Sequence, residues 1–192
     1  YGISDLNLSI RDDEDVSWIY EKNRLTFLNN MYQKIKYAQG ACGILHFDIS
    51  EFYGNIYTHS LTAIKIGVKE AETCYRNNSN SAVYRLYVKL DEFIRGLNGK
   101  RTNGILVGPY VSHVISEAVL TNLDKDLLEE KIEFTRYADD YEIIVRNNED
   151  IEKIKSKVSD LFERYYFKCN TSKTFYEEYP FYIFNNFESV IK

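Results

Sequence analysis

Two prolines, three cysteines, three histidines and one tryptophan are few for 192 residues, and each scarcity closes off a class of protein. Cys42, Cys74 and Cys169 lie far apart, and His46, His59 and His113 do not stand at zinc-ligand spacing from them. Neither a disulfide scaffold nor a structural zinc is expected, and a reduced cytosolic interior is. No apolar run approaches the roughly 20 residues that a membrane-spanning helix requires. The chain begins at Tyr1 with no charged-then-apolar leader, so the expectation is a soluble fragment excised from a longer protein, with no membrane partner. Basic charge is scarce as well: 24 Lys and Arg against 29 Asp and Glu leave a net charge of -5. That balance argues against a simple nucleic-acid clamp, which grips many phosphates and is usually basic. It leaves room for an enzyme whose basic parts lie outside this sequence.

What is present is a chain 44% hydrophobic and 28% charged, enough apolar content for one domain or a large piece of one. Leu25, Leu28, Met31, Tyr32 and Ile35 recur at helical spacing and predict a helix at about 24–37. GILHFDI at 43–49 is short, apolar and glycine-bounded, which reads as a buried strand ending at Asp48. A helix around 60–72 follows, and then TCYRNNSNS at 73–81, the best loop in the sequence. Val83, Leu86, Tyr87, Leu90, Phe93, Ile94 and Leu97 mark an amphipathic helix stopped by Asn98-Gly99. After a Gly-rich connection at 99–109, the stripe Val111, Val114, Ile115, Ala118, Val119, Leu123 and Leu127 predicts a core helix, with Ser112 as its cap. FTRY and YEIIV then flank two aspartates as a hairpin, and Ile151, Ile154, Val158, Leu161, Phe162 and Tyr165 give a further helix before an extended tail from about 167. Strand, helices, hairpin, helix: the order predicts an α+β sandwich, with an antiparallel sheet on one face and helices on the other, like the ferredoxin-like split βαβ.

The chemistry concentrates on carboxylates. RYADDYEIIV at 136–145 places Asp139 and Asp140 side by side at the hairpin tip, where like charges repel unless solvent or a cation screens them. Asp48 ends a strand that one sheet could bring beside them. Three converging carboxylates suit hard divalent ions, which take oxygen ligands and share them with substrate phosphates. The plain alternatives stay open at this point: a solvated turn for the pair, and a helix cap or turn former for Asp48.

FDISEFYGNIYTHS (47–60), TNGILVGPYVSHVISEAVL (102–120), RYADDYEIIV (136–145) and CNTSKT (169–174) resemble, in order and spacing, four successive palm motifs of reverse transcriptases. The likeness covers about residues 40–178. The wording is most similar to the bacterial abortive-infection and related antiphage group, with retron and group II intron enzymes more distant. The resemblance implies a polymerase palm over 40–192 with partial fingers over 1–39, and an RNA-directed DNA polymerase of the bacterial cytoplasm. It implies two Mg²⁺ ions, with Mn²⁺ as a substitute, on Asp48, Asp139, Asp140 and the backbone carbonyl of Ile49. Tyr53, with Phe52 beside it, matches the steric gate under the incoming sugar, which makes deoxynucleoside triphosphates the implied substrate; its plain alternative is a core aromatic. Gly104, Gly108, Pro109 and Ser112 match the segment against the nascent base pair, or else form a loop before a helix. Lys173 matches the lysine placed to protonate or neutralise the leaving pyrophosphate, or else is solvated surface.

The sequence also departs from the family pattern. Leu106-Val107-Gly108 stands where intron and retroviral enzymes usually read PQG, so the Gln that monitors the template pair is missing. This favours the antiphage group, some of whose members polymerise without a template and from a protein primer. No convincing counterpart of the basic fingers motif is read before Asp48, and the basic fingers and the thumb are expected to lie outside this sequence. The implied partners are a nucleic-acid primer and template or a protein primer, with a homo-oligomer left open. The competing reading is a non-catalytic palm retained for nucleic-acid binding or assembly.

Overall fold

A computed structural model describes residues 29–180, and expectations about the first turn of the 24–37 helix and most of the fingers segment lie outside them. In order, the elements are α1 (covering 29–37), β1 (Gly43–Asp48), α2 (Phe52–Asn55), a 3₁₀ turn (Thr58–Thr62), α3 (Ala63–Ile66), α4 (Val68–Arg76), α5 (Ala82–Leu97), α6 (Tyr110–Glu129), β2 (Phe134–Tyr137), β3 (Asp140–Val145), α7 (Ile151–Arg164) and β4 (Phe175–Glu178). They divide between two compact units. The described part of the first is 29–48, 132–155 and 170–180; the second is Ile49–Lys131 with Ser156–Cys169.

The first unit holds a four-stranded sheet in the order β2-β3-β1-β4, every neighbouring pair antiparallel. That order, on a chain reading β-α-β-β-α-β, is the ferredoxin-like arrangement expected from the sequence. Alternation sorts the side chains into two rows. Leu45, Phe47, Phe134, Tyr141, Ile143 and Val145 form one row and are buried. The other row carries His46 and Asp48 of β1 beside Glu142 and Asp140 of β3, their register partners. β4 adds Phe175 opposite His46. Gly43 permits this last pairing, because a Cβ there would stand 2.6 Å from the Glu177 carbonyl oxygen and 2.3 Å from the Tyr176 hydroxyl. At the end of α1, Arg146 donates to the Gln39 carbonyl at 2.7 Å and pairs with Glu133.

The second unit is helical and differs from the sequence reading at several points. The helix expected around 60–72 is interrupted at Gly67, whose φ of 81° and ψ of 163° no helix accommodates. Beyond that break α4 runs to Arg76, so the loop expected from 73 starts only at Asn77. The Thr73 hydroxyl donates to the Lys69 carbonyl at 2.9 Å without breaking the helix, and Glu72 pairs with Arg76 one turn on, which adds modest helical support. In α5 the apolar positions form two rows. Tyr84, Tyr87, Asp91 and Ile94 are buried, while Val83, Leu86, Phe93 and Leu97 are exposed. In α6, Ile115, Val119, Leu123 and Leu127 are buried, but Val111 and Val114 face solvent. Ser112 is not the cap of α6: Pro109 holds that position with φ −60°, its carbonyl accepts the Ser112 N–H at 2.9 Å, and Ser112 is buried in the first turn. Proline's fixed φ sets the entry without a side-chain cap. Among the described residues no helix is long and apolar enough to cross a membrane.

Candidate active site

β1 ends on Asp48 and β3 begins on Asp140, and the two are direct register partners. Like charges directly opposite on one sheet destabilise it, and here the conflict shows in the proton affinity of one partner. Burial, the hydrogen bond with Asp48 and the charge of Asp139 together push the Asp140 carboxyl up to about 6. Burial pushes Asp48 upward too, but hydrogen bonds with Lys173, Asp140 and Asn170 outweigh it and hold Asp48 below the ordinary carboxylate value. A proton on Asp140 relieves the repulsion below about pH 6, and carboxyls this close titrate as a pair rather than singly.

The turn between β2 and β3 places the third carboxylate. Ala138 takes a φ of 52°, in the left-handed region, where a residue with a Cβ is strained. The buried Arg136 holds it there, donating Nη1–H to the Ala138 carbonyl at 2.9 Å while its guanidinium lies 5.7 Å from the Tyr141 ring centroid. Asp139 follows. Burial raises its pKa against the pull of its own backbone N–H, and the charge of Asp48 raises it further.

The segment ahead of β4 closes the other side. The Asn170 N–H donates to the Asp48 carbonyl at 2.8 Å, and the Asn170 amide donates Nδ2–H to Asp48 Oδ2 at 3.0 Å. The Asn170 carbonyl in turn accepts the N–H groups of Lys173 at 3.0 Å and Thr174 at 2.9 Å, forming a tight turn. From that turn Lys173 reaches Asp48 Oδ1 at 3.0 Å, and this contact raises the ammonium's pKa. A cleft of about 440 Å³ runs from Asp48, Asp140 and Lys173 along the same row to His46, Glu142 and Lys34. His46 stacks on Phe175 with ring centroids 4.4 Å apart and meets Glu177 at 3.1 Å; Lys34 meets Glu142 at 2.5 Å.

The sheet unit therefore brings Asp48, Asp140 and Lys173 into contact, with Asp139 on the adjoining turn. The remaining sequence candidates belong to the helical unit. Tyr53 sits with its hydroxyl 2.7 Å from His113 Nδ1. Phe52 is buried beside Phe167, ring centroids 5.5 Å apart, so it serves packing. Ile49 is buried and bridges to Cys169. Gly104 and Gly108 take φ of 85° and 107°, which only glycine adopts freely. Pro109 and Ser112 open α6. Sequence reasoning missed Asn170 and His113. An Asn in a turn-rich segment gives only the weak signal of an Asx turn.

Among the described residues no three His, Cys, Asp or Glu side chains form a ready metal cage. The donor chemistry nonetheless fits a hard cation: the set is all oxygen, and two carboxyls stand opposite each other where a cation would relieve their repulsion. Such an ion would draw its other ligands from phosphate and water.

The helices and the four-stranded antiparallel sheet make an α+β, palm-like fold with acidic residues at its strand ends. The family model of reverse transcriptase (RNA-dependent DNA polymerase) matches residues 4–182, nearly the whole chain, and the protein belongs to that family. Membership makes it an RNA-directed DNA polymerase-like enzyme. No protein of curated function matches the sequence.

Proposed function

We propose that the protein transfers deoxynucleotides to a 3′-hydroxyl using Asp48, Asp139 and Asp140 as the ligands of two Mg²⁺ ions, with the Ile49 carbonyl as a further ligand. The observation that carries this is the register pairing of Asp48 with Asp140, which sets two carboxyls directly opposite each other at adjacent strand ends. Bound there, the ions would activate the attacking oxygen and neutralise charge on the phosphate. The chain's own part is positioning. Asn170 holds Asp48 by two hydrogen bonds, Arg136 sets the turn that presents Asp139, and Lys173 stands ready to neutralise the leaving pyrophosphate. Tyr53, braced by His113, fills the space a ribose 2′-hydroxyl would need. Gly108, Pro109 and Ser112 support the nascent base pair. The palm spans 40–192 and the partial fingers 1–39.

With Leu106 and Val107 in place of a template-monitoring Pro-Gln, we assign the protein to the bacterial antiphage type. It then acts in the cytoplasm, without a template or from a protein primer. Nucleotide incorporation by the full-length parent, with and without template, tests both levels. Incorporation that Asp139→Asn abolishes is expected. A parent that incorporates nothing, or a variant as active as the parent, would leave the non-catalytic palm as the correct reading. Strict dependence on a template would overturn the untemplated assignment alone.

A further inference from the structure

The helical unit carries a second constellation of rings and cations that the catalytic reading leaves unused. Tyr57 lies with its ring centroid 4.8 Å from that of Tyr166 and, edge-on, 5.1 Å from that of His59. Tyr166 is 58% exposed at a φ of 64°, pinned by its N–H on the Glu163 carbonyl at 2.9 Å. His59 is fixed by a buried acid: its Nδ1 lies 2.9 Å from Asp91 Oδ2, and Arg95 Nε, 3.2 Å away, offsets the charge of that carboxylate. With Nδ1 engaged, Nε2 is the nitrogen His59 has left for another partner.

The segment 100–103 runs alongside. Asn103 bridges Tyr57 in antiparallel sense, and the Thr58 N–H meets the Thr102 carbonyl at 2.9 Å. Its turn is braced by the Lys100 N–H on the Arg95 carbonyl at 2.6 Å and by the Asn98 amide on the Gly104 carbonyl at 2.8 Å. Lys100 and Arg101 are exposed. Two exposed cations thus stand on a braced turn whose strand pairs with Tyr57, next to the clustered rings. An acidic protein would use the cations but has no need of the rings, whereas a nucleic-acid strand uses both.

We propose that this cluster is a binding platform for single-stranded nucleic acid. A base stacks on the exposed ring of Tyr166, and flanking phosphates meet Lys100 and Arg101. The choice of ligand rests on the polymerase reading above; the platform itself stands on this geometry.

The test is fluorescence anisotropy of the whole chain with labelled oligo-dT and oligo-U of about 20 nucleotides, long enough to span one such site, in EDTA. Tyr166→Ala is expected to weaken binding about tenfold, the effect of losing one stacked base, while Tyr166→Phe retains it. Lys100→Gln with Arg101→Gln is expected to lower the slope of log K against log salt by about 1.4, two phosphates' worth on a single strand. Photocrosslinking with an iododeoxyuridine oligomer should label Tyr57, His59 or Tyr166. Affinity and slope unchanged in these variants, or crosslinks confined to other peptides, would overturn the platform. Asp140→Asn keeps the two readings apart: it should abolish incorporation and leave oligonucleotide binding to the platform intact. If Asp140→Asn abolishes incorporation while the platform variants bind normally, the platform fails and the catalytic reading stands.

Discussion

Replacing Asp140 by asparagine should make the cation-free protein more stable at neutral pH. The folded state raises the Asp140 carboxyl from 3.8 to about 6, so it binds a proton more tightly than the unfolded chain does. The stabilisation from that proton is complete below the unfolded value of 3.8 and is lost as pH rises through about 6. At about 1.4 kcal/mol per pKa unit, the full shift would correspond to roughly 3 kcal/mol. Asp140 is open to solvent, so screening reduces the effect to about 1 kcal/mol. Asp48, held below its ordinary value, contributes with the opposite sign and only at lower pH, so it stays out of this window. Asparagine can donate to Asp48 as the protonated Asp140 does, without having to ionise. Thermal unfolding in EDTA should find the two proteins alike near pH 4 and Asp140→Asn ahead by about 2–4 °C at pH 8, the shift that 1 kcal/mol produces in a chain of this size. Millimolar Mg²⁺ should raise the melting temperature of the parent sequence above pH 6.5 and do little for the variant. A variant that melts lower than the parent at pH 8 in EDTA would refute the account of a raised Asp140 carboxyl.

Asn170→Ala removes the amide that holds Asp48 Oδ2; a stability loss of about 1–2 kcal/mol with at least a tenfold fall in incorporation is expected, read by melting and single-turnover assays together. Normal incorporation would reduce Asn170 to a turn former. Gly43→Ala should cost about 1–3 kcal/mol, since the backbone oxygen of Glu177 must yield to the new Cβ; hydrogen exchange should show β4 loosened first, and uniform protection would argue against the close approach. Tyr53→Val should let the enzyme incorporate ribonucleotides, measured as the ratio of the two incorporation rates. An unchanged ratio removes the gate assignment.

Much of the sheet was legible because its signals are local. A glycine-bounded apolar run named β1, and paired short runs around Asp139 and Asp140 named the hairpin, within a residue of where they lie. The long helices α5, α6 and α7 were legible in extent but not in orientation, whereas the helix expected around 60–72 was not, because Gly67 breaks it and α4 runs on to Arg76. α5 has apolar residues over about half its circumference, and spacing alone does not tell the buried Tyr84, Tyr87 and Ile94 from the exposed Val83, Leu86 and Phe93. Ser112 has the chemistry of a cap, yet the backbone of Pro109 already occupies that role. Asn170 was illegible for a different reason. Its importance comes from Asp48, distant in sequence, and no local pattern reports a contact of that range.

The register of β1 against β3 makes the sheet a gauge. Residues directly opposite on antiparallel strands stand about 4.5–5.5 Å apart at Cα, and that distance is fixed by main-chain hydrogen bonds. The interval between Asp48 and Asp140 is therefore insensitive to side-chain replacements on either row of the sheet. What could alter it is a slip of one residue or a bulge within Gly43–Asp48. Insertions and deletions in that short strand, more than substitutions around it, are the changes this site has least capacity to absorb.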